Sequence, residues 1–306
     1  SRKWEVIKMK IGFVGLGDIA QKAYLPLVTQ QAEIEPYFCT RTESTLKNLG
    51  EKYKIDKLYT DIDQLLKEEL DAVFIHAATE AHYPLAKKSL EKGIPTFVDK
   101  PISYHLEQTE ELIELARKQD SILMTGFNRR YVPTYRSLLD IEAPKTVIME
   151  KNRTELPGKP RQFILDDFIH VIDTISYLLA EFDLKEFDVK KTMREDKLIQ
   201  IMLTLENGDS TAIGIMNRDN AVTEETLEVM GFKEKKKIKN ITQIVEYADA
   251  AEKHSQVAGW NKMGYNRGFV DMINEFLRRV KKGKNDKKEL VADLRTHRLA
   301  EKLVEA

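Results

Sequence analysis

Residues 96–101 read TFVDKP, a short apolar strand that runs into an acid, a lysine and a proline. Proline cannot donate to a sheet ladder, so the strand stops there, and the residue before it is kept extended. Lys100 is thus a long cation locked at a strand tip: a working group if other chemistry reaches the same place, a surface charge beside a strand stop if none does. A second chemical stretch is LDDFIHVIDTISYLL (165–179), an apolar-periodic helix carrying Asp166, His170 and Asp173. Their i, i+4 and i+7 spacing puts all three on one helix face. An acid one turn from a histidine fixes the ring's tautomer and raises its basicity, and histidine titrates where a general base must. A surface ion pair or a metal site would use the same residue types, although the sequence shows no HExxH and no cysteine cluster, so no metal is expected.

A third stretch is GLGDIA, with Gly15, Leu16, Gly17, Asp18, Ile19 and Ala20 directly after the first apolar strand and opening a helix. This is the setting of the dinucleotide fingerprint. The first glycine allows the tight turn, the second lets backbone approach a pyrophosphate, and the small Ala20 lets helix and strand pack closely. The helix N-terminus attracts the phosphates. A tight strand–helix turn with no ligand has the same pattern. The second strand ends in Thr40 and Arg41, about 25 residues beyond Gly15, where an acid would hold the ribose of NAD and an arginine accommodates a 2′-phosphate. Glu43 already belongs to the next helix's first turn, where it suits the dipole. NADP(H) is therefore preferred, with NAD(H) as the alternative.

The elements that position these residues come in two styles. From Lys10 to Thr125 short β-rich runs (10–14, 33–39, 71–76, 95–98, 121–125 and a weaker one near 57–59) alternate with helical patterns at 18–30, 43–53, 62–69, 82–92 and 105–119. Apolar strands alternating with helices imply a doubly wound parallel sheet covered on both faces. Beyond Thr125 come a helix at 132–140, a strand KTVIMEKN, a helix at 164–180, and strands near 185–194, 197–205, 210–217, 225–232 and 235–239. Two helices, 264–282 and 288–305, close the chain. The fold expected is thus α/β, a dinucleotide-binding (Rossmann) domain over 9–125, then an α+β domain over 126–306 with a large, mostly antiparallel, open-faced sheet. The last helix is a candidate to pack back on the first domain. Met9 reads as a native start, with residues 1–8 an added remnant.

Composition narrows the partners. The 306 residues carry 49 basic and 50 acidic side chains, a net charge of -1, so neither nucleic acid nor an anionic membrane is expected. The lysine-rich RRVKKGKNDKK is read as a solvated helix end and linker. No apolar run approaches the ~18 residues of a membrane helix, and SRKWEVIKMK lacks the apolar stretch of a secretory signal. The single cysteine, Cys39, suits a reducing cytoplasm.

Taken together, FVGLGDIAQKAYLP, VFIHAATEAHYPLAKKSLEKGIPTFVDKP and LDDFIHVID resemble, in order and spacing, the Gfo/Idh/MocA oxidoreductase family, and the likeness runs from Met9 to the end. The resemblance implies that Lys100 stands beside the nicotinamide and works with Asp166 and His170. It implies that His82, Ala77, Ala78, Thr79 and Asp99 line the cofactor side. Asp173 is expected to reach substrate hydroxyls, and GFNRRYVPTY places Asn128 and Arg129 or Arg130 near the cleft. Asp99 departs from the family's glutamate, and Phe168 from its helix glycine. Two residues is about 200° around a helix, so Phe168 points away from Asp166 and His170 and alters packing more than chemistry. Both departures resemble the MviM-like branch of the family.

The resemblance implies hydride transfer between nicotinamide and a carbinol or carbonyl carbon of a sugar, cyclitol or related polyol. His170 would be the acid–base group, Asp166 its orienter, and Lys100 the stabiliser of the developing alkoxide. MEKNR (149–153) gives a basic strand end that suits an acidic sugar or an exposed strand face. The rival reading is a silent NADP-binding sensor acting through a protein partner, which has no need of that proton-transfer set. IQIMLTL (199–205) and TAIGIMN (211–217) are apolar on both faces, so the second sheet's open side is expected to be covered by another subunit in a dimer or tetramer.

Overall fold

A computed structural model describes residues 8–179, 182, 184, 186–257 and 263–306. Residues 1–7 of the expected remnant, 180 at the end of the expected helix and 185 at the start of an expected strand lie outside the described residues. The chain divides into two compact units: one runs through Gly126 and includes Ile273–Leu290, the other comprises Phe127–Met272 and Val291–Ala306.

In the first unit, β1 (Met9–Val14), β2 (Ile34–Cys39), β3 (Leu58–Tyr59), β4 (Ala72–Ile75), β5 (Thr96–Val98) and β6 (Leu123–Thr125) form one parallel sheet in the order β3-β2-β1-β4-β5-β6. The order reverses between β1 and β4, and ligands of such sheets bind beyond the carboxyl ends at that point. Phe13, Phe74 and Phe97 are fully buried. Phe13 stacks on Phe74 with centroids 5.2 Å apart, and Phe276 closes the group edge-on to Phe74 at 4.9 Å and to Phe97 at 5.6 Å. The segment that returns to this unit is therefore 273–290, mostly the helix Phe269–Lys282, whereas most of the last helix, Lys287–Glu305, belongs to the other unit. The expected helix 264–282 is broken by Gly268 at φ +78°, where a Cβ would lie 2.4 Å from the Asn128 carbonyl oxygen.

The second unit holds β7 (Thr146–Asn152), β8 (Phe187–Arg194), β9 (Lys197–Asn207), β10 (Ser210–Asn217), β11 (Glu224–Met230), β12 (Glu234–Lys239), β13 (Gln243–Ala248) and β14 (Ala251–Gln256), in the order β14-β13-β12-β11-β7-β10-β9-β8. The sheet is mostly antiparallel, as expected, but β7 and β10 run parallel. β13 and β14 have no counterpart in the sequence expectations; AEKHSQ of β14 is exposed throughout with no apolar face, and QIVEYA of β13 has no fully buried residue. Val147, Met149, Leu203, Leu205, Ala212 and Met216 turn inward and are buried. The helix Ile169–Leu179 lies directly on β10. A Cβ at Gly214 would meet Val171 at 2.7 Å, Ile175 at 3.1 Å and Phe168 at 3.6 Å, so Phe168 is spent on packing.

The last helix brings His297 into the core of this unit. Burial drives its imidazole down from 6.5 to about 4, outweighing the 2.7 Å contact of Nδ1 with the Asp293 carbonyl, and the nearby Arg130 lowers it further. The folded protein thus resists a proton that the unfolded chain accepts, so this stabilisation is complete above pH ~6.5 and is lost as pH falls toward 4. From pH 7.5 to 5 the loss is about 2 kcal/mol. Urea midpoints at the two pH values should show it, and His297→Gln should shrink the difference by about that amount; an unchanged difference would move the titration elsewhere.

Candidate active site

The cofactor half is built in the first unit from the carboxyl ends of β1 and β4. Gly15 follows β1 at φ +84°, and a Cβ there would sit 2.3 Å from the Ala77 backbone nitrogen and 2.4 Å from its Cα. Only glycine fits that approach. At Gly17, by contrast, a Cβ would meet no described atom within 4 Å. That open cradle is what a pyrophosphate approaching backbone requires, so these residues fit a dinucleotide. The stretch 18–28 is continuously helical, as expected for 18–30, but contains a π turn, Ala20–Tyr24, before the α segment Leu25–Val28. Leu16 and Ala20 are buried, Asp18 pairs with Lys22 at 2.7 Å in the open, and Ile19 is 42% exposed. After β2, Thr40 donates its backbone N–H to the Tyr59 carbonyl at 3.1 Å, and Arg41 is exposed.

Ala77 and Ala78 lead into the helix Thr79–Glu91, whose first turn carries the buried His82. Its Nε2 lies 2.9 Å from the Ala77 carbonyl and its Nδ1 2.8 Å from the Pro101 carbonyl. The ring thus ties the loop after β4 to the loop after β5. Burial lowers its pKa in spite of both carbonyls. The Lys100–Pro101 bond is cis.

Asp99 takes a role the sequence did not show. Its carboxylate accepts from the Tyr24 hydroxyl at 2.6 Å and lies 2.8 Å from His76 Nδ1. The two rings lie against each other, tilted by 32°, with centroids 3.8 Å apart. Burial alone would raise the Asp99 carboxyl; His76 and Tyr24 hold it below its ordinary value, while burial and Asp99 push the Tyr24 phenol well up. Asp99, expected on the cofactor, is thereby turned inward as the anchor of the residue that precedes Lys100. Tyr24 and His76 were missed. The signal was the parallel register: Ile75 pairs with Val98, so His76 and Asp99 follow side by side.

In the second unit the expected substrate residues are largely engaged with the protein itself. Arg129 clamps Glu225 through Nε at 2.8 Å and Nη2 at 2.6 Å, and the Tyr135 hydroxyl donates to the same carboxylate at 2.6 Å. Burial would raise Glu225, but Arg129 holds it at about 2. Arg130 binds Asp173 through Nε at 3.0 Å and through a second, shorter contact from Nη2, and reaches Asp293 at 2.8 Å. Thr296 donates to Asp173 at 3.3 Å. Asp173 is only 2% exposed; the expectation that it reaches substrate meets a carboxylate buried in an internal network. Asn128 donates to the Arg267 carbonyl at 2.9 Å.

Asp166 lies in a π turn, Ile164–Phe168, and His170 in the first turn of the α-helix that follows, so the regular α spacing assumed over 164–180 starts only at Ile169. Asp166 is half-buried and His170 buried. The neighbouring Asp167, which the sequence reading passed over, is buried among cations: Lys151, Arg153 at 3.0 and 3.2 Å, and Arg218 at 3.1 Å. Among the described residues no cluster of three or more histidine, cysteine or acidic side chains is arranged to hold a metal ion.

The model of the oxidoreductase family with an NAD-binding Rossmann fold matches residues 9–127, and that of the YceM-like C-terminal domain matches 133–249. A Gfo/Idh/MocA family oxidoreductase from Vibrio cholerae superposes with a TM-score of 0.93 at 35% identity, over 97% of each chain. The chain belongs to the Gfo/Idh/MocA oxidoreductase family. YceM of Salmonella typhimurium is 37% identical over 175 residues, a stretch spanning 56% of either protein. The myo-inositol 2-dehydrogenase of Thermotoga maritima is 23% identical over 297 residues, 90% of this chain and 89% of that one. Membership makes this an oxidoreductase with an NAD(P)-binding domain. No described helix is long and apolar enough to cross a membrane.

The two glycines separate fold from ligand. Gly15→Ala should destabilise the protein by at least about 1–3 kcal/mol, from left-handed strain and the clash with Ala77. Gly17→Ala should leave the denaturation midpoint within about 0.5 kcal/mol yet weaken NADP(H) in a fluorescence titration. If Gly17→Ala binds as wild type does, the loop is a turn and not a cradle.

Proposed function

We propose that this oxidoreductase uses NADP(H) in preference to NAD(H) and acts on a carbinol or carbonyl carbon of a sugar, cyclitol or related polyol. The reading is carried by the presence of Lys100, Asp166 and His170 together in a chain whose near full-length relatives include a myo-inositol 2-dehydrogenase. When bound, the nicotinamide supplies the acceptor or donor of hydride. Residues 15–20 and the Ala77–Thr79 loop would hold the dinucleotide, with Arg41 at the ribose 2′-phosphate and His82 fixing the loop geometry. His170 takes the hydroxyl proton in oxidation and returns it in reduction; Asp166 orients the ring; Lys100 stabilises negative charge developing on the substrate oxygen.

Arg41 sets the cofactor preference in this reading. A charge-assisted arginine–phosphate contact contributes on the order of 1.5–3 kcal/mol, roughly ten- to a hundredfold in affinity. Titrating both cofactors should show NADP(H) the tighter, and Arg41→Ala should remove most of the gap. Equal affinities in the wild type would leave Arg41 as a loop charge.

The turnover assay follows cofactor absorbance against a panel of sugars and polyols. Lys100→Met should keep cofactor affinity, which glycine-loop backbone supplies, and lose on the order of 10²–10³ in turnover. His170→Ala should lose about 10²–10⁴ and one limb of the pH profile. If both act on one oxygen, the double variant falls short of the product of the single losses. Near-wild-type turnover in Lys100→Met would reduce DKP to a strand stop.

A homo-oligomer built on the outer face of the second unit's sheet belongs to the same proposal, supported by Ile213, Ile215 and the 36%-exposed Met202 on that face. Light scattering should give a dimer or tetramer at working concentrations; a clean monomer removes this part. A cytoplasmic location is supported by Cys39, a buried thiol outside any disulfide.

A further inference from the structure

β7 and β10 are the parallel pair of the second sheet, and each carries an arginine just beyond its carboxyl end, Arg153 and Arg218. The Arg153 backbone N–H donates to the Asn217 carbonyl at 2.8 Å, which holds the two strand ends together. Asp167, from the turn that also carries Asp166, reaches both guanidinium groups and Lys151. Lys151, Arg153 and Arg218 crowd around the one carboxylate of Asp167, and Arg218 also feels Asp166. The crowding has a cost: burial first, and neighbouring arginines second, lower the pKa of Arg153.

Two details point to a ligand. Arg218 is 8% exposed with its guanidinium 4.6 Å over the Phe163 ring, and its buried Nε meets no hydrogen-bond acceptor among the described residues. Such a donor is costly to leave unsatisfied. Arg153 bonds Asp167 through Nε and Nη2, yet its side chain is 31% exposed and open to approach. A planar guanidinium pair of this kind suits an oxyanion with several acceptor atoms.

We propose that the substrate carries an anionic group, a carboxylate or a phosphate ester, which Arg153 and Arg218 hold beside the turn bearing Asp166. The proposal rests on the reading of Asp166 and His170 as the proton-transfer pair. Neutral cyclitols would then be poor ligands, and the two arginines would decide between a sugar acid or sugar phosphate and its uncharged parent.

The test is calorimetric binding to the NADP(H)-loaded protein of three probes of like carbon skeleton: gluconate, glucose 6-phosphate and glucitol. One of the two anions should bind at least tenfold tighter than glucitol, and which one it is distinguishes carboxylate from phosphate. Arg153→Gln, a change at the more exposed arginine, should erase the preference, and Arg153→Lys should restore part of it. Because Arg218 is buried, Arg218→Lys is compared only after its unfolding midpoint matches the wild type. Glucitol binding as tightly as both anions, no anion binding, or a preference untouched in Arg153→Gln overturns the proposal. Cofactor-linked turnover of neutral polyols alone sinks it while leaving the oxidoreductase reading intact. Tight anion binding with no turnover of any sugar or polyol keeps the anion site and sinks the proton-transfer assignment.

Discussion

No side chain fits at position 15, and the first unit is arranged around that fact. Parallel pairing of β1 with β4 brings their carboxyl ends together, and the loop after each strand must pass the other at backbone distance. Glycine at φ +84° is the solution on one side and the small Ala77 on the other. The same pairing continues outward to β5, where it sets His76 beside Asp99. Once Tyr24 and His76 hold that carboxylate, the following lysine and proline have little freedom left. One register thus shapes a phosphate cradle and a lysine turn on neighbouring strand ends.

The second unit is governed by a different problem, how to bury carboxylates. Glu225, Asp167 and Asp173 are each withdrawn from water and each compensated by guanidinium or ammonium groups. Such groups repay desolvation only when geometry is good and every lone pair is used, and losing one partner costs about 3–5 kcal/mol. Glu225 meets the requirement with two bonds from Arg129 and one from Tyr135. Asp173 meets it with Arg130 and Thr296. Around Asp167 one carboxylate is shared by three cations, Lys151, Arg153 and Arg218.

Much of this was legible in the sequence, for identifiable reasons. Short continuous apolar runs between period-3.6 helical stretches mark the parallel strands because both sheet faces are covered. GLGDIA fixes the ligand end because its glycines answer to backbone geometry alone. What escaped was set by long-range pairing. Nothing local in VFIHA says that His76 will find Asp99, since their adjacency comes from a register between positions 23 apart in the chain. Asp166 and Asp167 are neighbours of identical type, and only the π turn decides which of them is buried among cations. Arg129 and Arg130 were expected near the cleft, and their internal partners at 225 and 173 are invisible to spacing. AEKHSQ forms a strand with no apolar face to announce it.

The ring of Phe276 belongs to the aromatic group of the first unit, although 178 residues separate it along the chain from Val98 at the end of β5. A ribosome adding ~5–20 residues per second delivers it about 10–35 seconds after β5. Throughout that interval the nascent first unit lacks its edge-on aromatic partner, while the whole β-rich body of the second unit is made and can close on itself. Neither unit has its full set of residues until the last two helices are made, and the exposed phenylalanines of the first are what a chaperone would meet in the meantime.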